Sequence, residues 1–181
     1  FCSGRHIHEG KVRYREPRGV FSEMRAMKKE FGVSHFNFYD DSLAIRRDRV
    51  ESLCKGLLEE GMGVTWGGFT RVGSLTKDLA DLMKASGCLS LGLGVESGSD
   101  HVLKKVRKGY ARADIMKSID IIKSAGIAVS ANIIIGFPFE RESDIRETIS
   151  LIREMGIFAN INTFTPYPKS EIYEEYRDLL K

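Results

Sequence analysis

Two patterns of hydrophobic and polar positions alternate along the chain. Short apolar runs rich in β-branched and aromatic residues are typical of buried strands, whereas apolar residues that recur every three or four positions indicate amphipathic helices. The first pattern predicts five strands, at residues 35–39, 64–69, 89–96, 127–135 and 158–164. The second predicts helices at residues 20–31, 47–60, 74–86, 100–106, 112–124, 142–155 and 172–180.

Strands and helices follow one another at intervals of about thirty residues, which is the length of a strand–helix–strand unit. This order predicts one α/β domain with parallel strands, because parallel neighbours need a crossover connection. No long linker or change of composition divides the chain. Right-handed crossovers build either an open doubly wound sheet or a barrel, complete or partial, and the spacing does not choose between them.

The third predicted strand ends in an acidic residue that needs an explanation. Glu96 follows a run of apolar residues and glycines and precedes Ser97-Gly98-Ser99. A carboxylate at the end of a buried strand requires a partner. The carboxyl ends of parallel strands also form the ligand-binding face of α/β proteins. Glu96 is therefore a candidate binding residue, and the alternative, an acid that caps the next helix, fits the sequence equally well.

Other predicted strands also end in polar or glycine-containing segments. The first ends at Asp40 and Asp41, the second near Arg71 and the fourth at Gly136. The aspartates could bind an ammonium group or a metal, although capping of the following helix is the simpler interpretation. Arg71 alone is typical of a solvated or ion-paired side chain. Gly136 either forms a tight turn or lets a flat ligand approach the backbone.

The composition narrows the class of protein only slightly. Of the 181 residues, 42% are hydrophobic and 29% charged, and the formal net charge of +3 is too small to be evidence for nucleic-acid binding. No apolar run approaches the ~20 residues of a transmembrane helix. The three cysteines, Cys2, Cys54 and Cys88, form no disulfide framework and suit a cytoplasmic location. Cys54 and Cys88 fall at apolar positions and are predicted to be buried structural thiols.

Taken in order, the predicted strand ends resemble those of the radical S-adenosylmethionine (SAM) superfamily. The resemblance is greatest to the branch whose members often carry a cobalamin-binding domain upstream. Its most specific segment is residues 94–99, which resemble the fourth strand of the family. The other matching segments are Phe1-Cys2-Ser3, Arg15-Glu16-Pro17-Arg18, Phe38-Tyr39-Asp40-Asp41-Ser42-Leu43, Trp66 with Arg71, Ile133-Ile134-Ile135-Gly136-Phe137-Pro138-Phe139-Glu140 and Thr165-Pro166-Tyr167-Pro168. One departure is Phe139, where the branch usually has glycine.

This resemblance implies a fold and two cofactors. The fold is a partial (β/α)₆ TIM-type barrel of parallel strands, with the first strand and the cluster loop largely missing, and residues 1–181 form the core domain. The cofactors are SAM and a [4Fe–4S] cluster bound by a CxxxCxxC loop, of which Cys2 resembles the last cysteine. In the family, the cluster reductively cleaves SAM to a 5′-deoxyadenosyl radical, which abstracts hydrogen from a substrate.

The resemblance also implies which residues hold SAM. Asp40 and Asp41 would bind its amino group. Glu96 and Ser97 would contact the ribose and the amino-acid portion. Gly136 would lie beside the adenine, with Arg71 as a further neighbour.

With one cysteine of the cluster loop, the chain is expected to be an inactive fragment of a cytoplasmic enzyme. The intact enzyme would need an external electron donor, and an upstream domain would make cobalamin-dependent methyl transfer one candidate reaction. The sequence names no substrate. Two other interpretations stay open: a non-catalytic binding or scaffold module on the same barrel, and an unrelated TIM-barrel enzyme that acts on a phosphorylated metabolite. The second of these lacks the support of a phosphate-binding loop.

Overall fold

Five parallel strands form the centre of the computed structural model, which describes residues 11–179. The strands are β1 (His35–Phe38), β2 (Thr65–Arg71), β3 (Cys88–Glu96), β4 (Ala128–Ile135) and β5 (Phe158–Thr163). They lie side by side in the order in which they occur along the chain, and each neighbouring pair is parallel. The predicted parallel α/β class is confirmed. The sheet is not closed, as expected of a partial barrel.

Helices connect the strands close to the positions that the apolar periodicity predicts. They are α1 (Pro17–Phe31), α2 (Arg47–Glu59), α3 (Lys77–Ala85), α4 (Asp100–Lys105), α5 (Arg112–Ser124), α6 (Glu142–Met155) and α7 (Glu171–Tyr176). Short 3₁₀ turns cover Leu43–Ile45 and Arg177–Leu179. None of the helices within residues 11–179 is long and apolar enough to cross a membrane.

The main core lies where one face of the sheet packs against helices. Leu91, Leu93 and Val95 occupy alternate positions of β3, and each is at most 1% exposed. Trp66 on β2 is fully buried, and its indole Nε1 donates a hydrogen bond to the Ser86 carbonyl oxygen at 3.1 Å. Burial of alternate side chains fixes the register of a strand, because a shift by one residue would move these side chains to the opposite face of the sheet.

The predicted helix cap at Asp40 and Asp41 is wrong. The residue before α2 is Arg46, so the capping role considered for Asp40 and Asp41 does not exist; the 3₁₀ turn Leu43–Ile45 separates them from that helix. Thr76 precedes α3, but its side chain makes no capping hydrogen bond. Its hydroxyl oxygen instead accepts a hydrogen bond from Arg47 at 2.8 Å.

The two cysteines within the described residues are structural, as predicted. Cys54 and Cys88 are both fully buried and form no disulfide. Burial raises the pKa of the Cys88 thiol to about 12, and burial also raises that of Cys54. A neutral buried thiol is a poor metal ligand, because the thiolate is the form that binds metal.

Candidate functional site

The predicted site residues lie along one edge of the sheet. Since β1 to β4 are parallel neighbours, their carboxyl ends point the same way. Arg71 is the last residue of β2 and Glu96 the last of β3. Asp40 and Asp41 follow β1, and Gly136 follows β4. The fold therefore places all five at the ligand-binding edge of a parallel sheet.

Glu96 has an unfavourable backbone conformation. Its φ is +68°, a value that glycine adopts readily and glutamate rarely. The Ser97 amide donates a hydrogen bond to the Val95 carbonyl at 2.9 Å, which closes a three-residue turn centred on Glu96. The pairing of β3 with β4 also shifts by one residue between Gly94 and Glu96. Such strain costs about 1–3 kcal/mol, persists only where surrounding contacts impose it, and is concentrated at functional sites.

The Glu96 carboxylate has a close cationic partner. Lys108 Nζ lies 2.6 Å from Glu96 Oε1, and the two side chains are only 17% and 11% exposed. A buried carboxylate requires a partner, and for Glu96 this partner is Lys108, which lies in the turn between α4 and α5. Glu96 does not cap the following helix, because Ser99 occupies that position.

The same turn contacts two further groups at the strand ends. Arg71 donates a hydrogen bond to the Lys108 carbonyl oxygen. The Tyr110 hydroxyl donates to the Gly94 carbonyl oxygen at 2.7 Å. Burial, reinforced by the charge of Glu96, raises the pKa of Tyr110 well above its usual value, so this phenol stays protonated. Sequence reasoning missed Lys108 and Tyr110, because they lie in a polar turn rather than at the end of a strand.

At the end of β1, two acidic residues have no partner among residues 11–179. Asp40 and Asp41 are exposed, and neither carboxylate has a hydrogen-bond or ion-pair partner within residues 11–179. The Ser42 hydroxyl is buried and also lacks a partner there. These three residues line a cavity of about 930 Å³, which Arg49 and residues 11–15 also line. Two unpaired carboxylates and an unsatisfied hydroxyl suit a ligand that carries an ammonium group.

At the end of β4, a glycine makes a turn that glycine alone favours. Gly136 has φ +85°, and its amide donates a hydrogen bond to Glu140 Oε2 at 2.5 Å. Glu140 Oε1 is buried and has no hydrogen-bond partner in the described part of the chain, and burial raises the pKa of this carboxyl group. Phe139 does not have a positive φ, so the turn does not need glycine at that position.

The Ser97 side chain contacts helix α6. It is fully buried, and its hydroxyl lies 3.1 Å from the hydroxyl of Thr148 on α6. A contact between Ser97 and the cofactor stays a prediction. Sequence reasoning missed Thr148 because it falls within a helix far along the chain from the turn that it contacts.

The described residues offer no site for an iron–sulfur cluster. Within residues 11–179, no group of three or more histidine, cysteine, aspartate or glutamate side chains could hold a metal ion. Cys54 and Cys88 are buried in the core. The predicted ligand Cys2 lies outside the described residues. Within residues 11–179, therefore, no ligand set for the predicted cluster is found, and SAM binding at the strand ends stays a prediction.

Comparison with known proteins defines the class. The model of the radical SAM superfamily matches residues 1–152, so the chain belongs to this superfamily. Its members are iron–sulfur enzymes that use a [4Fe–4S] cluster and SAM. The resemblance inferred from the strand ends is confirmed.

Individual relatives are methyltransferases and cyclases. The chain is 26% identical over 175 residues to an uncharacterized methyltransferase, PH0819, from Pyrococcus horikoshii, covering 96% of this chain and 38% of that protein. It is 28% identical over 186 residues to bacteriochlorophyllide d C-12(1)-methyltransferase from Chlorobaculum tepidum, covering 100% and 40%. It is 29% identical over 169 residues to the anaerobic magnesium-protoporphyrin IX monomethyl ester cyclase of Rubrivivax gelatinosus, covering 92% and 30%. The chain thus spans well under half of these relatives.

Solved structures share the fold at low sequence identity. The radical SAM methyltransferase TsrM from Kitasatospora setae, solved with cobalamin and a [4Fe–4S] cluster, superposes with a TM-score of 0.81 at 15% identity, covering 91% of this chain and 32% of that one. The cobalamin-dependent SAM radical enzyme OxsB, solved with aqua-cobalamin, gives 0.68 at 18% identity, covering 91% and 25%. At such identities the likeness supports the architecture alone.

Proposed function

We propose that residues 1–181 are the core domain of a radical SAM enzyme that binds SAM at the carboxyl ends of β1 to β4. The observation that supports this most directly is the sheet edge itself. It combines the carboxylates of Asp40 and Asp41, which have no partner within residues 11–179, with the buried carboxylate of Glu96, whose backbone is strained. Neither feature is needed for folding alone. Carboxylates without partners contribute no stability to the fold, and backbone strain reduces the stability.

Each group has a role that its chemistry suits. Asp40 and Asp41 accept hydrogen bonds from the amino group of SAM, which is cationic when free. Glu96, oriented by Lys108, accepts hydrogen bonds from the ribose hydroxyls. The backbone at Gly136 lies against the adenine. Arg71 lies beside the SAM site and stabilises the turn at Lys108 through its hydrogen bond to the Lys108 carbonyl oxygen. When bound, the cluster supplies the electron that cleaves SAM to a 5′-deoxyadenosyl radical.

We further propose that the intact enzyme transfers a methyl group with the help of cobalamin bound by another domain. This finer assignment rests on the relatives, among which are methyltransferases and enzymes solved with cobalamin. The substrate is unassigned, and the electron comes from an external donor.

The proposal is tested on the intact protein after anaerobic reconstitution with iron and sulfide. We expect iron–sulfur absorbance and formation of 5′-deoxyadenosine from SAM under reducing conditions. Cys2→Ala should lose both, whereas Cys54→Ala, which removes a buried thiol of the core, should keep the cluster. A reconstituted protein that holds the cluster but forms no 5′-deoxyadenosine contradicts the proposal and favours a non-catalytic module.

A further inference from the structure

Buried hydrogen bonds connect the turn after β3, residues 97–99, to helix α6. Thr148 Oγ1 accepts a hydrogen bond from the Gly98 amide at 2.9 Å and lies 3.1 Å from the Ser97 hydroxyl. The Thr148 hydroxyl proton is directed elsewhere, to the Asp144 carbonyl oxygen at 2.9 Å. Ser97 must therefore be the donor to Thr148. In turn, the Ser97 oxygen accepts a hydrogen bond from the Ser99 amide at 3.1 Å.

The side chain of Asp144 extends this network. It is 2% exposed, and Ser99 Oγ donates to its Oδ1 at 2.5 Å. Its Oδ2 accepts a hydrogen bond from the Arg141 amide at 2.9 Å and lies 3.1 Å from His101 Nδ1. Burial acts to raise the pKa of Asp144, but these hydrogen bonds outweigh it and hold the pKa below its usual value. Asp144 is therefore ionised, and both of its carboxylate oxygens have hydrogen-bond partners.

The backbone of the turn also lies directly on α6. A Cβ atom added at Gly98 would meet Thr148 Cα at 2.6 Å and the Glu147 carbonyl oxygen at 2.8 Å. Only glycine allows this approach. Helix α6 thus holds the three residues that directly follow the strained Glu96. It does so through close packing, the Thr148 hydroxyl and the Asp144 carboxylate.

We propose that Thr148 and Asp144 are positioning residues, which hold the turn at Glu96 in the conformation that binds SAM. This inference rests on the proposed function. Glu96 at φ +68° relaxes to an ordinary conformation unless the following residues are held. Without the network, only a fraction of the molecules has the conformation that binds SAM. The apparent affinity for SAM is then the intrinsic affinity multiplied by that fraction.

A merely structural role predicts something different. Asp144 also bonds the amide of the residue before α6, as Asp114 does for α5, where the Ala111 amide donates to Asp114 Oδ2 at 2.9 Å. If capping were the whole role, loss of either aspartate would lower stability and leave ligand affinity unchanged. Asp114 is exposed, and its side chain makes no bond to the Glu96 turn, so Asp114→Ala is a control for the loss of a cap.

The decisive comparison is made at Thr148. Thr148→Val keeps the shape of the side chain but leaves the Gly98 amide and the Ser97 hydroxyl without their acceptor. Thr148→Ser keeps the hydroxyl and removes a buried methyl group, so it lowers stability without breaking the network. SAM binding is measured by isothermal titration calorimetry on the intact, anaerobically reconstituted protein. Amide hydrogen exchange at residues 97–99 is measured on the same proteins without SAM.

We expect Thr148→Val to weaken SAM binding about 10-fold, since it leaves two buried donors without their acceptor, and to speed exchange at residues 97–99 by a similar factor. Thr148→Ser should bind like the wild type, Asp144→Ala should resemble Thr148→Val, and Asp114→Ala should not. Equal affinities for Thr148→Val and Thr148→Ser overturn the positioning role while leaving the proposed function intact. A wild type that binds no SAM instead overturns the proposed function, and this role with it.

Discussion

The ion pair between Lys108 and Glu96 supports a quantitative prediction. Lys108→Met keeps the length of the side chain and removes its charge, which leaves the Glu96 carboxylate in a largely dry position. Removing one partner of a fully buried pair costs about 3–5 kcal/mol. The two side chains here are 17% and 11% exposed, so water reaches them in part. We therefore expect the free energy of unfolding to fall by about 2 kcal/mol.

The control for this change is another lysine-to-methionine substitution. Lys77 pairs with Asp81 on the surface of α3, where the two side chains are 52% and 49% exposed. Lys77→Met should cost less than about 0.5 kcal/mol, because exposed pairs are screened by solvent. Urea unfolding at pH 7 measures both variants, with unchanged slopes of free energy against urea concentration.

A double-mutant cycle separates the pair from other contacts of Lys108. Glu96→Gln removes the negative charge, so Lys108→Met should cost much less in that background, giving a coupling of about 1–2 kcal/mol. If Lys108→Met is no more harmful than Lys77→Met, or if the coupling is near zero, the lysine does not compensate the buried carboxylate. The reasoning about the orientation of Glu96 then fails.

Three further predictions concern binding, packing and pH. Glu96→Ala should weaken SAM binding in calorimetry, and unchanged affinity would refute its contact with the ribose. Gly98→Ala should destabilise the fold by about 2 kcal/mol or more in urea unfolding, because its methyl group would overlap Thr148; Gly19→Ala in α1, with nothing within 4 Å, should be neutral or stabilising. Since burial raises the pKa of Cys88 to about 12 from 9.0, its contribution to stability is complete below pH 9 and disappears between pH 9 and pH 12. Unfolding free energies that stay constant across that range in the wild type, or fall equally in Cys88→Ala, would contradict this assignment.

The sequence was a good guide to the elements of the fold for a physical reason. Helices such as α5 and α6 bury one continuous stripe, so the apolar period marks both ends. Strands such as β3 are buried between neighbours and appear as apolar runs. Because parallel strands end at a common edge, the positions of Asp40, Glu96 and Gly136 at that edge could also be predicted.

What the sequence did not reveal are contacts between distant segments. Lys108 lies twelve residues after Glu96 in a turn, and Asp144 reaches Ser99 from 45 residues away. Neither position has a local pattern that distinguishes it from an ordinary surface lysine or a helix-capping aspartate. The incorrect capping role of Asp40 and Asp41 has a similar cause, since the 3₁₀ turn at Leu43–Ile45 has no clear periodic signal.

Hydrogen exchange of the intact, reconstituted protein with and without SAM tests the central claim most directly. If SAM binds at the edge formed by the strand ends, amides in residues 37–43, 94–99 and 134–140 should gain protection together. Residues 62–66 and 126–129, at the opposite ends of the strands, should not change. Protection confined to those opposite ends, or absent from all three strand-end segments while SAM is bound, would contradict the account.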